Sequence, residues 1–300
     1  MSLLVVGSMA LDDLALPSGT FRDVLGGSAT YFALAAAPLA RSRIVAVVGR
    51  DFPRRALSRL RARGADLAGV QHAAGPTFRW SGRYPCGFRS RETKFTRLGV
   101  FADFSPDIPE EWRSSNTVFL GNISPVLQAR VLDQVRRPRF SAIDTMNFWI
   151  ERERAALEAV VRRVDGVFVN DEEVAQWTGR DNVFDGIVAL HAKGPSVVVV
   201  KRGEHGAYLS HRGRLSFCPA GPVRDVIDPT GAGDAFAGGF LAWVDRAKRT
   251  DRATLRRALT TAVAVASFAV EGVGADALAR LDRRGVEERR RILRRLVVAE

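Results

Sequence analysis

Six short stretches of this chain are almost wholly apolar: residues 3–6, 44–48, 117–120, 140–143, 166–169 and 196–200. They are rich in Val and Ile and show little polar alternation. Such runs predict parallel strands buried on both faces. Amphipathic helical patterns fall between them, at 54–63, 126–136, 151–164 and 183–192. The alternation predicts an α/β fold, a three-layer αβα sandwich around a mostly parallel sheet with right-handed crossovers. Ligands in such sheets gather at the carboxyl ends of the strands.

Residues 77–104 depart from this pattern. Phe78-Arg79-Trp80-Ser81-Gly82-Arg83-Tyr84 leads to a turn around 85–90, and Thr93-Lys94-Phe95-Thr96-Arg97-Leu98 resumes beyond it. This predicts an antiparallel hairpin. From Asp234 onward the chain reads as helical, at 235–246, 251–270 and 287–298, with a turn at Glu271-Gly272-Val273-Gly274.

The 300 residues fit one domain spanning 1–300, and a hydrophobic share of 46% is ample for a core. No apolar run approaches the roughly 18 residues of a membrane span. The start lacks the basic region of a signal peptide and reads as a first strand. Two cysteines, Cys86 and Cys218, make no disulfide framework, and the four histidines are scattered. A cytoplasmic protein is expected, with no membrane partner. The net charge of +12 would suit nucleic acid. The basic residues, nearly all arginine, are instead spread over many segments with acids among them. A solvated basic surface is the expected reading, and nucleic acid is not the expected partner.

The chemistry concentrates in Asp228-Pro229-Thr230-Gly231-Ala232-Gly233-Asp234. Two glycines sit in a turn that opens a helix, where free N–H groups and the helix dipole attract anions. Glycine lets phosphate approach closely, so Gly231, Ala232 and Gly233 are candidate donors to a transferring phosphoryl group. Asp234, directly behind, is the candidate general base for a hydroxyl, although an acid there also serves as an ordinary cap. Asp228 fixes the turn or a metal-bound water. The combination points to phosphoryl transfer from a nucleotide to an alcohol. It is neither a P-loop nor a dinucleotide fingerprint, since Phe236 stands where the third glycine would be.

These residues resemble the ribokinase-like, or phosphofructokinase-B, family of carbohydrate kinases. The resemblance extends to Gly7-Ser8-Met9-Ala10-Leu11-Asp12, Gly26-Gly27-Ser28-Ala29-Thr30, Asn170-Asp171-Glu172-Glu173 and Val200-Lys201-Arg202-Gly203, in family order. It implies ATP and Mg²⁺ as cofactors and a sugar or sugar-like acceptor. It also implies a small β-sheet lid, here from about 12–25 and 77–104 with residues 14–25 adding one strand, through which such proteins can form homodimers. Asp12 takes the place of the sugar-binding acid, with Gly26 and Gly27 letting the backbone approach the sugar or simply turning into a helix. Asn170 and Glu173 would orient Mg²⁺ through waters rather than as direct ligands, although Asn170 also suits a helix cap. Lys201 and Gly203 would border the nucleotide phosphates, with Asp144 and Asn147 facing the same cleft.

Three positions depart from the family's sugar kinases: Ala10 replaces Asn, Ser28 replaces the Lys of ribokinases, and Tyr31 replaces Asn. They argue against ribose itself. The expected lid carries Arg79, Arg83, Arg89, Arg91, Lys94 and Arg97. Arg83 and Arg91 are the leading candidates to meet a polar or anionic acceptor group, against a merely solvated lid surface. A nucleoside kinase of the same superfamily is the first rival. A non-catalytic nucleic-acid-binding or regulatory protein is the second.

Overall fold

The computed structural model describes residues 3–88 and 90–296. The first strand, β1 (Leu3–Val6), leads into a hairpin, β2 (Ala10–Leu16) and β3 (Gly19–Gly26), and then α1 (Ser28–Ala36). Next come β4 (Ser42–Val48), α2 (Arg54–Ala62) and β5 (Asp66–His72), followed by a second hairpin, β6 (Arg79–Arg83) and β7 (Glu92–Arg97). The middle of the chain alternates β8 (Thr117–Leu120), α3 (Pro125–Gln134), β9 (Phe140–Asp144), α4 (Asn147–Arg152) and α5 (Arg154–Val161). It continues through β10 (Gly166–Asn170), α6 (Asp171–Thr178), α7 (Val183–His191) and β11 (Val197–Lys201). A third hairpin, β12 (Ala207–His211) and β13 (Arg214–Cys218), precedes α8 (Ala232–Ala247), α9 (Arg252–Ala269), α10 (Asp276–Arg280) and α11 (Arg283–Leu296).

Nine strands form the central sheet in the order β13-β12-β11-β10-β9-β8-β1-β4-β5. Strands β5 to β11 along that order run parallel, and β12 and β13 are antiparallel. Two apolar cores flank the sheet. One lies under α1, α2, α8 and α9, and the other under α3, α5, α6 and α7. The fold is the expected three-layer sandwich with a small lid. A separate four-stranded sheet, β3-β2-β6-β7, unites the two hairpins, with β2 and β6 parallel and the outer pairs antiparallel.

Several boundaries differ from the sequence expectation. The expected single lid strand at 14–25 is two, because Gly19 takes φ +140° and the chain reverses. The expected helix at 151–164 is broken at Glu153, whose φ of −126° is not helical and whose carboxylate accepts from the Ser124 hydroxyl at 2.7 Å. Helix α8 starts three residues early, which places Asp234 inside its first turn. The last helix ends within the described residues at Leu296, and Val297 and Val298 lie outside them, as do Met1, Ser2 and the lid's Arg89. The strands β5, β12 and β13 and the short α10 were not expected.

Helix α8 is seated by close contact with α1. A Cβ on Gly238 would lie 2.5 Å from the Phe32 carbonyl oxygen. Ala is the better helix former by about 1 kcal/mol. A clash with backbone cannot be relieved by a side-chain rotation, so overpacking wins. Gly238→Ala is expected to destabilise the protein by a net ~1 kcal/mol or more in urea unfolding; equal or higher stability would contradict this packing.

Candidate active site

The site lies where the carboxyl ends of β9, β10 and β11 meet the N-terminus of α8. Gly231 caps that helix in the left-handed region, at φ +74°, and its α-carbon presses on Tyr31: a Cβ there would lie 2.3 Å from the ring. The N–H groups of Gly231, Gly233 and Asp234 find no backbone acceptor, as expected of a helix start. Asp228, wholly buried, fixes the turn. Its Oδ1 accepts from the Thr230 N–H at 2.9 Å and its Oδ2 from the Gly274 N–H at 2.7 Å.

Asp234 is half-buried in the first turn of α8. No group among the described residues donates a hydrogen bond to its carboxylate. Burial pushes its pKa up to about 7, the charge of Asp144 adds to this, and Lys201 and Arg91 oppose it. Lys201 Nζ lies 3.0 and 2.9 Å from the two oxygens of Asp144. Burial works against that ammonium, but Asp144 and Glu173 outweigh it and hold its pKa above the ordinary value. A Cβ on Gly233 would stand 3.2 Å from Lys201 Nζ, so the ammonium borders the turn.

Asn170 and Glu173 form a reciprocal helix cap. Asn170 Oδ1 accepts from the Glu173 N–H at 2.7 Å, and Glu173 Oε2 accepts from the Asn170 N–H at 2.8 Å. Glu173 is also buried and faces Asp144 and Lys201, and burial first of all raises its pKa to about 7. Asp12 occupies β2 of the lid, 3% exposed, and its carboxylate receives no hydrogen bond from the described residues. Burial, then the charges of Asp228, Asp234 and Asp13, raise its pKa well above the usual carboxylate range. Gly26 leaves the space that its carboxylate fills, since a Cβ would lie 2.0 Å from Oδ2. Gly27, at φ +93°, packs against the backbone of residues 8–10 as it enters α1.

The structure thus brings Asp12, Asp228 and Asp234 together on one side and Asp144, Glu173, Lys201 and Asp234 on the other. Of the two lid arginines singled out, Arg91 joins them: it stacks on Trp80 at 5.6 Å and its charge reaches Asp234, Glu173 and Tyr84. Arg83 does not, being 61% exposed and facing Glu92 across the hairpin at 3.9 Å. Asn147 turns to Gln176, donating to its amide oxygen at 2.8 Å, and Gly203, at φ +49°, borders open space. Two neighbours were missed as site residues. Tyr31 lies fully buried beside the acids with an unpartnered hydroxyl, and Tyr84 meets Thr230. Nothing in the sequence around Tyr84 marks it, whereas Tyr31 was visible only as a departure from Asn.

The anionic cluster fits a nucleotide that arrives with a divalent cation. The carboxylates of Asp144, Glu173 and Asp234 act on the one ammonium of Lys201, which borders the turn where three N–H groups lack a backbone acceptor among the described residues. Among the described residues, no group of three or more His, Cys, Asp or Glu side chains is arranged to hold a metal ion directly. None of their helices is long and apolar enough to cross a membrane.

The fold and this cleft define a phosphoryl-transfer enzyme of the ribokinase-like class. The family model of the pfkB family carbohydrate kinases matches residues 115–280. A cytidine kinase of Thermococcus kodakarensis is 32% identical over 254 residues, covering 83% of this chain and 90% of that protein. A 2-dehydro-3-deoxygluconokinase of Thermoproteus tenax is 28% identical, covering 92% and 90%. Among solved structures, a nucleoside kinase of Burkholderia thailandensis in complex with inosine superposes with a TM-score of 0.79 at 20% identity, covering 97% and 98%. A putative ribokinase II of E. coli in complex with ATP and Mg²⁺ gives 0.80 at 20% identity, covering 97% and 99%. The chain belongs to the pfkB family of carbohydrate kinases. It is a kinase that phosphorylates an alcohol of a sugar or sugar-like small molecule, and the non-catalytic reading is not favoured.

A carboxyl whose pKa is raised in the folded state costs stability as it ionises. For Asp234 that cost is absent below the unfolded value near 4 and grows as pH rises toward about 7. Asn carries no such charge. The melting temperature of Asp234→Asn should therefore exceed that of the wild type at pH 8, and the gap should shrink toward pH 5. A gap independent of pH would contradict the assigned burial.

Proposed function

We propose that the enzyme transfers the γ-phosphoryl group of ATP to a hydroxyl of a sugar or nucleoside-like acceptor, with Asp234 as general base. The observation that carries this reading is the pair of carboxylates, Asp12 and Asp234, that no group among the described residues satisfies beside an uncapped helix start. A buried and a half-buried acid without donors call for a ligand rich in hydroxyls. Asp12 would accept from one acceptor hydroxyl and hold another toward Asp234. As the O–P bond forms and the bond to ADP breaks, the attacking hydroxyl passes its proton to Asp234. The N–H groups of Gly231 and Gly233 would receive the charge that shifts onto the phosphoryl oxygens, whereas that of Ala232, expected to join them, donates to the Pro229 carbonyl at 3.2 Å.

Lys201 would stand beside the nucleotide phosphates, oriented by Asp144, and Glu173 would face waters of the cation. When bound with the nucleotide, Mg²⁺ supplies charge neutralisation that one ammonium among three acids does not. Asp228, with both oxygens engaged by backbone, acts as the clamp of the turn. Asn170 serves as the cap that aims Glu173. Arg91 would close over the cleft and meet a polar or anionic group, while Arg83 stays a surface residue. The same reading makes this a cytoplasmic enzyme. Dimerisation through the lid is left as a family expectation.

A nucleoside acceptor has specific support. The cytidine kinase matches most of this chain, and the aromatic Tyr31 replaces a residue typical of sugar kinases. Cytidine, inosine, fructose and 2-dehydro-3-deoxygluconate, each with MgATP and followed by ADP release, form the first panel. Turnover of at least one is expected; failure of these and of a wider sugar panel would sink the reading. With the productive acceptor, Asp234→Asn should bind nucleotide normally and lose roughly 10²-fold or more in kcat. In the wild type, kcat/KM should rise with pH up to about 7 and level off above it, because only the ionised base is active. A flat profile between pH 5.5 and 8 would contradict the base assignment.

A further inference from the structure

Tyr84 follows β6, and its ring belongs to the lid's own small core. It packs there with Leu14 and Leu16, and with the partly buried Phe21, Val24 and Trp80. Its N–H donates to the Ala15 carbonyl at 2.9 Å, which ties it to β2. The phenol oxygen leaves this core and accepts from the Thr230 hydroxyl at 3.1 Å. Burial pushes the phenol's pKa up, so it stays neutral. Thr230 directly precedes Gly231, and its own N–H is held by Asp228. The start of the phosphate-binding turn is therefore gripped from below by Asp228 and from above by the lid.

A second link runs the same way. Val273 packs into the lid core, and the next residue, Gly274, donates its N–H to the other oxygen of Asp228. Gly274 also lies against the lid strand β3, because a Cβ on it would stand 2.2 Å from a methyl of Val24. Movement of the lid thus bears on both partners of Asp228.

We propose that Tyr84 is a positioning residue through which the seated lid sets the geometry of the phosphate-binding turn. The proposal rests on the reading of Gly231–Gly233 as the anion hole. Its chemical sense is economy of nucleotide. A phosphoryl group held in attack geometry under an open lid is exposed to water. A turn that is set only beneath a closed lid keeps that geometry for the enclosed acceptor.

The test is hydrogen exchange in the full-length protein with MgATP as the probe. It reads the Thr230, Ala232 and Ala235 amides, each hydrogen-bonded at the turn. Tyr84→Phe keeps the ring in its core and removes only the hydroxyl. Exchange at these amides should rise about fivefold, the scale of one neutral hydrogen bond. Thr230→Val should give the same rise, the double variant no more than either alone, and Thr230→Ser should match the wild type. Exchange within twofold of the wild type in Tyr84→Phe, or additive effects in the double variant, would overturn the proposal. Loosening confined to the lid amides of 81–84 would overturn it too, since that is what a packing role alone produces. With cytidine as acceptor, Tyr84→Phe should lower kcat about fivefold and leave KM for MgATP unchanged. A raised KM at unchanged kcat would count against coupling. A wild type inactive toward cytidine and the sugars would instead refute the acceptor reading, and the exchange data would still decide the coupling.

Discussion

One buried carboxylate, Asp228, organises the catalytic end of this molecule. Its two oxygens are spent on two backbone N–H groups from segments 44 residues apart in sequence, Thr230 and Gly274. Two backbone donors offset the cost of burying a polar group that an unpartnered carboxyl would carry in full. The consequences propagate outward. With Thr230 held, the chain turns through left-handed Gly231 onto the ring of Tyr31 and enters α8 at Ala232. That register puts Asp234 in the first helical turn and leaves the N–H groups of Gly231, Gly233 and Asp234 without a backbone acceptor among the described residues. With Gly274 held, the loop after α9 is presented to the underside of the lid. The same acid therefore serves the phosphate turn and the floor on which the acceptor lid rests.

Around this clamp the electrostatics are deliberately unbalanced. Asp144 is paired with Lys201, but among the described residues Asp12, Asp234 and Glu173 have no cation of their own in contact. Dehydration raises all three. The arrangement costs stability, and under the proposed mechanism it would leave Asp234 poised near neutral pH, where proton acceptance by a carboxylate is most effective. Charge compensation is left to what binds: a cation brought with the nucleotide and Arg91 of the lid. Binding and lid seating would thus shift the titration of the very groups that act, with cations returning them toward ionisation.

Much of the scaffold was legible because its strands are buried on both faces. A run such as Val197–Val200 has no solvent side to alternate with, and its apolar continuity gives it away. The lid was harder. Its strands are half exposed, so the 14–25 segment read as one strand although a glycine at positive φ folds it into two. The hairpin β12–β13 was hidden for the same reason at the sheet edge, where Leu215 and Phe217 face solvent. The helical register around Glu153 depended on Ser124, a contact across 29 residues that no local pattern reveals. In the site, residues in a motif were found by the motif. Arg83 and Arg91 were indistinguishable in sequence; Arg83 ends β6 and meets Glu92 across the hairpin, whereas Arg91 precedes β7 and stacks on Trp80.

The departures from the family pattern acquire a physical reading in the same terms. Ser28, where ribokinases carry Lys, does not reach into the cleft. It exchanges hydrogen bonds with Ser8: each serine N–H donates to the other's hydroxyl, both at 3.1 Å. Gly7 and Gly121 leave the space that this clasp fills, since a Cβ on either would strike Ser28 Oγ, at 2.5 and 2.8 Å. Among the lid's cations, Arg91 stacks on Trp80, while Tyr31 fills the space beneath the turn with a ring and a hydroxyl that has no partner among the described residues. Because Tyr31 is fully buried against Gly231, its ring braces the turn itself, and the departure from Asn at that position trades a polar side chain for packing under the helix start.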